Sequence, residues 1–272
     1  MNSIADWEVI WRWQWFRRPA WQPYFRDPLH PEGRPARSTP IWEWILRENS
    51  VARVLDCSSG LGQRAILLKE HGFDVAGTDL CPAAVGYARE LADSRNLDIP
   101  FYDVPWQNLA EKFGSEFDAI LNDAFSWTTT RTDLRFAAHN FAAILRPGGI
   151  FIFQGADQWS RPEDKAHHVD IAWEAAPRFQ IRSHFEHSGV ACTVVVARDK
   201  TVDGIVENYQ FVIREEHATD QRVRLETASI CNLMLWTWAD YAAICREAGF
   251  SSLESIKVPL GKREHILNVA RK

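Results

Sequence analysis

The stretch Val54-Leu55-Asp56-Cys57-Ser58-Ser59-Gly60-Leu61-Gly62 reads as a short apolar strand that ends on an acid, followed by a glycine-containing turn and the opening of a helix. In open α/β sheets, ligands bind at the carboxyl ends of the strands, and this turn stands at such an end. Gly60 and Gly62 let backbone meet ligand without a Cβ in between. Asp56 places a carboxylate where an ammonium group can be held.

Strand and helix patterns alternate on from this turn. A first strand, Val51 to Asp56, is followed by a helix from Gly62 to His71 that Gly72 breaks. Phe73 to Asp79 is a second strand, and Pro82 opens a helix that runs to about Ser94. Ile99 to Asp103 and Phe117 to Asn122 are further strands. A helix from Leu134 to Leu145 stops at Arg146-Pro147-Gly148-Gly149, before a fifth strand, Ile150 to Gln154. Such alternation with short links predicts an α/β fold, a doubly wound and mostly parallel sheet with helices on both faces.

The pattern changes near residue 165. Arg178 to Phe185, Ala191 to Arg198, Asn208 to Glu215 and Val223 to Leu235 alternate apolar with polar residues, as antiparallel strands do. A helix from Thr237 to Ala248 and two strands, Ser252 to Val258 and His265 to Ala270, return the chain to the first sheet and bring it to seven strands. Before the core, Trp7, Trp11 and Trp15 recur at spacing four on one face of a helix. Arg17 to Pro40 holds six prolines and reads as an irregular connection, with a helix starting at Ser38-Thr39-Pro40. The expected organisation is a helical prefix (1–50), a core (51–160), an antiparallel insertion after the fifth strand (161–235) and a return (236–272).

Composition bounds the function. The chain has 272 residues, 46% hydrophobic and 25% charged, as an ordinary globular protein does. A net charge of −5 and a pI near 6.0 disfavour a nucleic-acid partner. No apolar run approaches the roughly 20 residues of a membrane helix, and Met1 to Phe16 lacks the apolar stretch of a signal peptide. The five cysteines are odd in number and widely spaced, so free thiols in the cytoplasm are expected. Thirteen tryptophans, seven of them within the first 44 residues, are the one abnormal figure. Trp7, Trp11 and Trp15 are expected to pack the prefix helix onto the core or onto another subunit; exposed, they would imply a partner, and a homodimer is one candidate.

Asp79 ends the second strand, where a carboxylate can accept two hydrogen bonds from a ribose diol. Asp103, with Trp106 just after it, offers a polar group and an aromatic face to an adenine. Gly60-Leu61-Gly62-Gln63-Arg64-Ala65 also fits the dinucleotide pattern G-x-G-x-x-A. Asp56 speaks against that alternative, because a carboxylate repels a pyrophosphate and attracts a cationic amino-acid tail.

Val54 to Asp79, Asp103, Trp106, Phe117 to Asn122 and Leu145-Arg146-Pro147-Gly148-Gly149 together resemble a class I S-adenosylmethionine-dependent methyltransferase. Trp106-Gln107-Asn108-Leu109, Asp123-Ala124-Phe125-Ser126, Trp238-Ala239-Asp240-Tyr241 and Ala248-Gly249-Phe250 are similar to the glycine/sarcosine N-methyltransferase-like branch. Ser58 departs from the family, standing where many such loops have their first glycine. The resemblance implies a Rossmann-like fold and S-adenosyl-L-methionine as cofactor. It assigns Asp56 and the backbone at Gly60 and Gly62 to the methionine part, Asp79 and Leu80 to ribose and adenine, Asp103, Val104 and Trp106 to adenine, and Asn122 and Asp123 to the neighbourhood of the sulfonium, with Ser58 also expected among the cofactor-binding residues.

The expected reaction is metal-free, in-line methyl transfer to a small-molecule acceptor, an amine nitrogen before an oxygen or carbon, with a non-catalytic binding protein as a further alternative. No metal-ligand set stands out: His167 and His168 are adjacent, and on a strand they would point to opposite faces. Asp123 and His168 are the candidate catalytic residues, His being suited to proton transfer near neutral pH. Trp15, Trp21, Tyr24, Phe25, Arg161 and His167 are candidates for the acceptor side, with aromatics for a flat group or a methylated cation and Arg161 for a carboxylate.

Overall fold

The computed structural model describes residues 3–154, 162–217, 220–233, 235–260 and 263–272. Its main sheet has seven strands in the order β10-β11-β5-β4-β1-β2-β3. They are β1 (Arg53–Asp56), β2 (Asp74–Thr78), β3 (Phe101–Tyr102), β4 (Phe117–Asn122), β5 (Leu145–Gln154), β10 (Ser252–Leu260) and β11 (Arg263–Arg271). Strands β3, β2, β1, β4 and β5 run parallel, and β11 pairs antiparallel with β5 and β10. The strand order reverses at β1, whose neighbours are β2 and β4, so the turn after Asp56 opens at the switch point of the sheet. The central strands are buried on both faces, which is why Val54, Leu55, Ala119, Ile120 and Leu121 form unbroken apolar runs.

Helices cover both faces: α4 (Gln63–Glu70), α5 (Pro82–Asp93), the short α6 (Leu109–Lys112), α7 (Arg131–Ile144) and α9 (Trp238–Glu247). Thr130 caps α7 and Thr237 caps α9, each accepting the backbone N–H three residues on. Phe125, Phe141, Phe151, Phe153 and Tyr241 form one aromatic cluster, in which Phe125 meets Phe141, Phe151 and Phe153 edge-on and Phe151 stacks on Phe153.

The second sheet is antiparallel, in the order β6 (Phe179–His187), β7 (Val190–Lys200), β8 (Gly204–His217), β9 (Asp220–Leu233). Its apolar face carries Cys192, Val194, Val196, Phe211 and Ile213 and closes on one side of α1 (Ile4–Phe16). Trp13 is buried there against Phe211, and Phe16 meets Phe185 edge-on. Asp6 accepts the Ser229 N–H at 2.8 Å, and Arg12 pairs with Glu226 at 3.1 Å. The other side of α1 lies on the core: Trp15 stacks on Tyr87 with ring centroids 4.8 Å apart. Helix α1 is thus clamped between two surfaces, and its tryptophans serve both.

Several expectations are corrected. The helix expected from Ser38 starts earlier, as α3 (Arg34–Glu48) with Pro35 in its first turn. Pro40 sits inside it on the exposed side, tolerated because Thr39, Ile41, Trp42, Ile45 and Leu46 bury the opposite face. The Arg17 to Pro40 connection is partly helical, with α2 (Arg18–Trp21) and a 3-10 turn at Gln22–Tyr24. The third strand shrinks to two residues, because β3 is an edge and only Gly77 and Thr78 pair with it in register. His167 and His168 lie on a helix, α8 (Pro162–Glu174), rather than on a strand.

Trp13 joins the small sheet to the rest of the chain, so Trp13→Ala is expected to cost about 3–5 kcal/mol in urea denaturation, the range for a truncated buried aromatic. A loss below about 1 kcal/mol would mean that the small sheet does not depend on α1 for its cover.

Candidate active site

The turn after β1 opens onto a cavity of about 540 Å³. Its wall carries Asp56, Ser58, Gly60, Asp79, Leu80, Trp106 and Asp123 among the expected residues. Four carboxylates (Asp56, Asp79, Asp123, Asp133) face it against two guanidiniums (Arg34, Arg64). The balance of formal charge is therefore negative, which suits a ligand with a positive end.

At one end the geometry is set by β2. The carboxylate of Asp79 accepts the Gly60 N–H and the Cys81 N–H, both at 2.9 Å. One acid therefore fixes both the glycine turn and the entrance to α5. Burial raises its pKa, partly offset by these two donors. Gly60 has φ +51°, and a Cβ there would lie 2.7 Å from the Trp11 ring, so α1 presses directly on the turn. Gly62, at φ +74°, has a packing role instead: a Cβ would meet Phe101 at 2.8 Å and Ala88 at 3.0 Å. Trp106 donates its indole N–H to the Cys57 carbonyl at 2.5 Å, which pins the ring against the turn.

The other end is a charge cluster. Asp56 is 1% exposed, and its Oδ2 has no hydrogen-bond partner. Burial pushes its pKa up to about 6 although the Arg64 guanidinium pulls the other way. Asp123 Oδ1 accepts the Ser58 hydroxyl at 2.9 Å, and Oδ2 accepts from Arg64 Nη2 at 2.5 Å. Arg64 Nη1 lies 3.6 Å from Asp56. Asn122 is buried behind the wall, where its Oδ1 accepts the Ala124 N–H and turns the chain after β4.

Other expected site residues lie elsewhere. Asp103 is exposed off the wall, and Val104 packs into the aromatic core. Trp15 stacks on Tyr87, and Trp21 is buried with its indole N–H on the Gln14 carbonyl. Phe25 is buried in the core under Arg95, and Tyr24 stacks on His30. None of these four aromatics lines the cavity. His167 is exposed on α8 and off the wall, while Arg161 and the His168 side chain lie outside the described residues.

The aromatic wall comes from residues not expected there. Trp7 stacks between Trp11 (centroids 6.0 Å, 23°) and Trp127 (5.4 Å, 6°), and all three line the cavity. Trp127 follows the polar loop after β4, in a 3-10 turn at Phe125–Trp127. The spacing of Trp7 and Trp11 was a usable signal, but nothing in the sequence pairs them with Trp127. Arg64 stands at a variable position of the glycine pattern, so the pattern itself gives it no role. Among the described residues, no group of three or more His, Cys, Asp or Glu side chains is placed to hold a metal ion, and no helix is long and apolar enough to cross a membrane.

Asp56 yields a pH prediction. Its carboxyl titrates near 6 in the folded chain against 3.8 unfolded, so ionisation in the fold is penalised above pH 6 and the penalty fades as pH falls toward 4. The stability of Asp56→Asn relative to wild type should therefore be greater at pH 8 than at pH 5, by roughly 1–2 kcal/mol in chemical denaturation. An offset that does not change with pH would contradict the assignment.

Residues 54–149 match a methyltransferase domain. A glycine/sarcosine N-methyltransferase of Parasynechococcus marenigrum (strain WH8102) is 32% identical over 110 residues, 40% of this chain and 39% of that protein. The chain thus spans less than half the length of this curated relative. In three dimensions it resembles a sugar N-methyltransferase from Streptoalloteichus (TM-score 0.62, 19% identity, 88% of this chain and 87% of the other). It also resembles an amino pentose methyltransferase from Micromonospora echinaspora, solved with S-adenosylmethionine bound (TM-score 0.58, 20% identity, 86% and 89%). Residues 54–149 are thus similar to a methyltransferase domain, and the strand order and the turn after β1 put that match at the switch point of the sheet.

Proposed function

We propose that the chain transfers a methyl group from S-adenosylmethionine to an amine nitrogen of a small-molecule acceptor. One observation carries the reading: a glycine turn at the switch point of the sheet is flanked by carboxylates on both sides, Asp56 and Asp79. The residues present fit the cofactor. Asp79 stands at the end of β2 for a ribose diol, Leu80 and Trp106 offer apolar surface for a base, and the unpartnered oxygen of buried Asp56 suits an ammonium group. The cofactor would supply the activated methyl carbon.

The chain's own groups do the rest. Asp123 is about one-third exposed, and both of its oxygens already accept a hydrogen bond. It is suited to orienting an acceptor N–H through a remaining lone pair more than to removing a proton by itself. In the Trp7–Trp11–Trp127 stack, the outer rings Trp11 and Trp127 offer π-surface that favours a methylated, cationic nitrogen. The nitrogen acceptors in the names of the glycine/sarcosine N-methyltransferase and the sugar N-methyltransferase support nitrogen over oxygen.

Titration calorimetry with S-adenosylhomocysteine tests the reading, and binding in the micromolar range is expected. No heat at high micromolar ligand would overturn it. Asp79→Ala should weaken that binding by about 1–3 kcal/mol, the value of charge-assisted hydrogen bonds lost at a partly buried acceptor. A panel of amines followed by product mass identifies the acceptor, and methylation of hydroxyl compounds alone would contradict the nitrogen assignment.

A further inference from the structure

Arg64 occupies an unusual place for a charged side chain. It belongs to the first turn of α4, two residues past Gly62, and its side chain is only 12% exposed. The guanidinium lies over the face of fully buried Trp42, 4.4 Å from the ring centroid. One nitrogen, Nη2, donates to Asp123; Nη1 reaches Asp56 only at 3.6 Å; Nη1 and Nε have no hydrogen-bond partner. A buried cation with unmet donors is costly unless something compensates it. Here the compensation is a carboxylate on each side, from the ends of β1 and β4.

The effect on those carboxylates is equally large. Asp56 is faced by Asp123 and Asp79, which raise its pKa, and by Arg64 and the Ser58 N–H, which lower it; Cys57 adjoins it on the same turn. Without the guanidinium, Asp56 and Asp123 would repel each other and Asp56 would take up a proton more readily. A neutral Asp56 could no longer attract the positive end of a ligand. Lysine, a point charge on a flexible stem, cannot bridge two carboxylates as a planar guanidinium does.

We propose that Arg64 is a positioning residue that keeps Asp56 charged and holds Asp56 and Asp123 in place to receive the amino-acid tail of the cofactor, an assignment that rests on the cofactor reading above. It does not carry the adenosine part, which sits at the Asp79 end of the cavity. Two ligands therefore separate the roles: S-adenosylhomocysteine, which has the tail, and methylthioadenosine, which lacks it.

The experiment is calorimetry with both compounds across pH on wild type, Arg64→Met and Arg64→Lys. In wild type, affinity for S-adenosylhomocysteine should fall as pH drops through about 6, with methylthioadenosine nearly flat. Arg64→Met should bind S-adenosylhomocysteine at least about tenfold more weakly at pH 7, with the midpoint of its pH profile raised by about one unit, while methylthioadenosine stays within about twofold. Arg64→Lys should recover part of both effects. Unchanged affinity and midpoint in Arg64→Met would overturn the proposal. So would an equal loss of both ligands, which makes Arg64 a residue of the fold; if Arg64→Met does not fold, Arg64→Lys decides by the same two readouts. A wild-type chain that binds neither compound removes the cofactor reading itself, a result distinguishable from the others.

Discussion

A carboxylate buried at the end of the central strand is the constraint on which the site depends. Asp56 sits where burial favours its neutral form, and the Arg64 guanidinium between it and Asp123 opposes that tendency. Such an arrangement contributes little to stability, because charges taken out of water rarely recover their desolvation cost. Its use is electrostatic: it presents preorganised negative charge at the switch point of the sheet. The glycine turn, pinned by Asp79 through the Gly60 N–H, is shaped around the same spot.

Helix α1 links this site to the rest of the molecule. One side of it buries Trp13 in the small sheet, and the other stacks Trp15 on Tyr87. Between these anchors, Trp11 presses on Gly60 and Trp7 reaches across to Trp127. The prefix, the small sheet and the core are thereby coupled through one helix of 13 residues. The abundance of tryptophan near the start of the chain follows from this position: a helix facing two apolar surfaces and a cavity needs large, flat, partly polar side chains on most of its circumference.

How far the sequence foretold this depends on the kind of signal. Strands buried on both faces left unmistakable apolar runs, and Phe117–Asn122 occupies the very residues expected. Period-two alternation revealed all four strands of the small sheet, because only one of its faces is covered. Pro40 misplaced the start of α3, since local punctuation cannot report that the opposite face of the helix will be buried. The strand-end acids Asp56 and Asp79 and the aromatic Trp106 were legible because position along a parallel strand determines position at the cavity. The aromatic wall was not. Trp7 and Trp127 are 120 residues apart in sequence, and only the tertiary path brings them to 5.4 Å. Arg64 carries no signal in the sequence, because its pairing exists only beside Asp123, which arrives from β4.

The central claim is that negative charge at the β1 turn selects a nucleoside with a positive tail. A crystal structure grown with S-adenosylhomocysteine addresses it most directly. The account predicts the ribose diol on Asp79, the base along Leu80 and Trp106, and the ammonium group facing Asp56. Density with the tail directed away from Asp56 and Arg64, or a nicotinamide dinucleotide seated in the turn in its place, would contradict it.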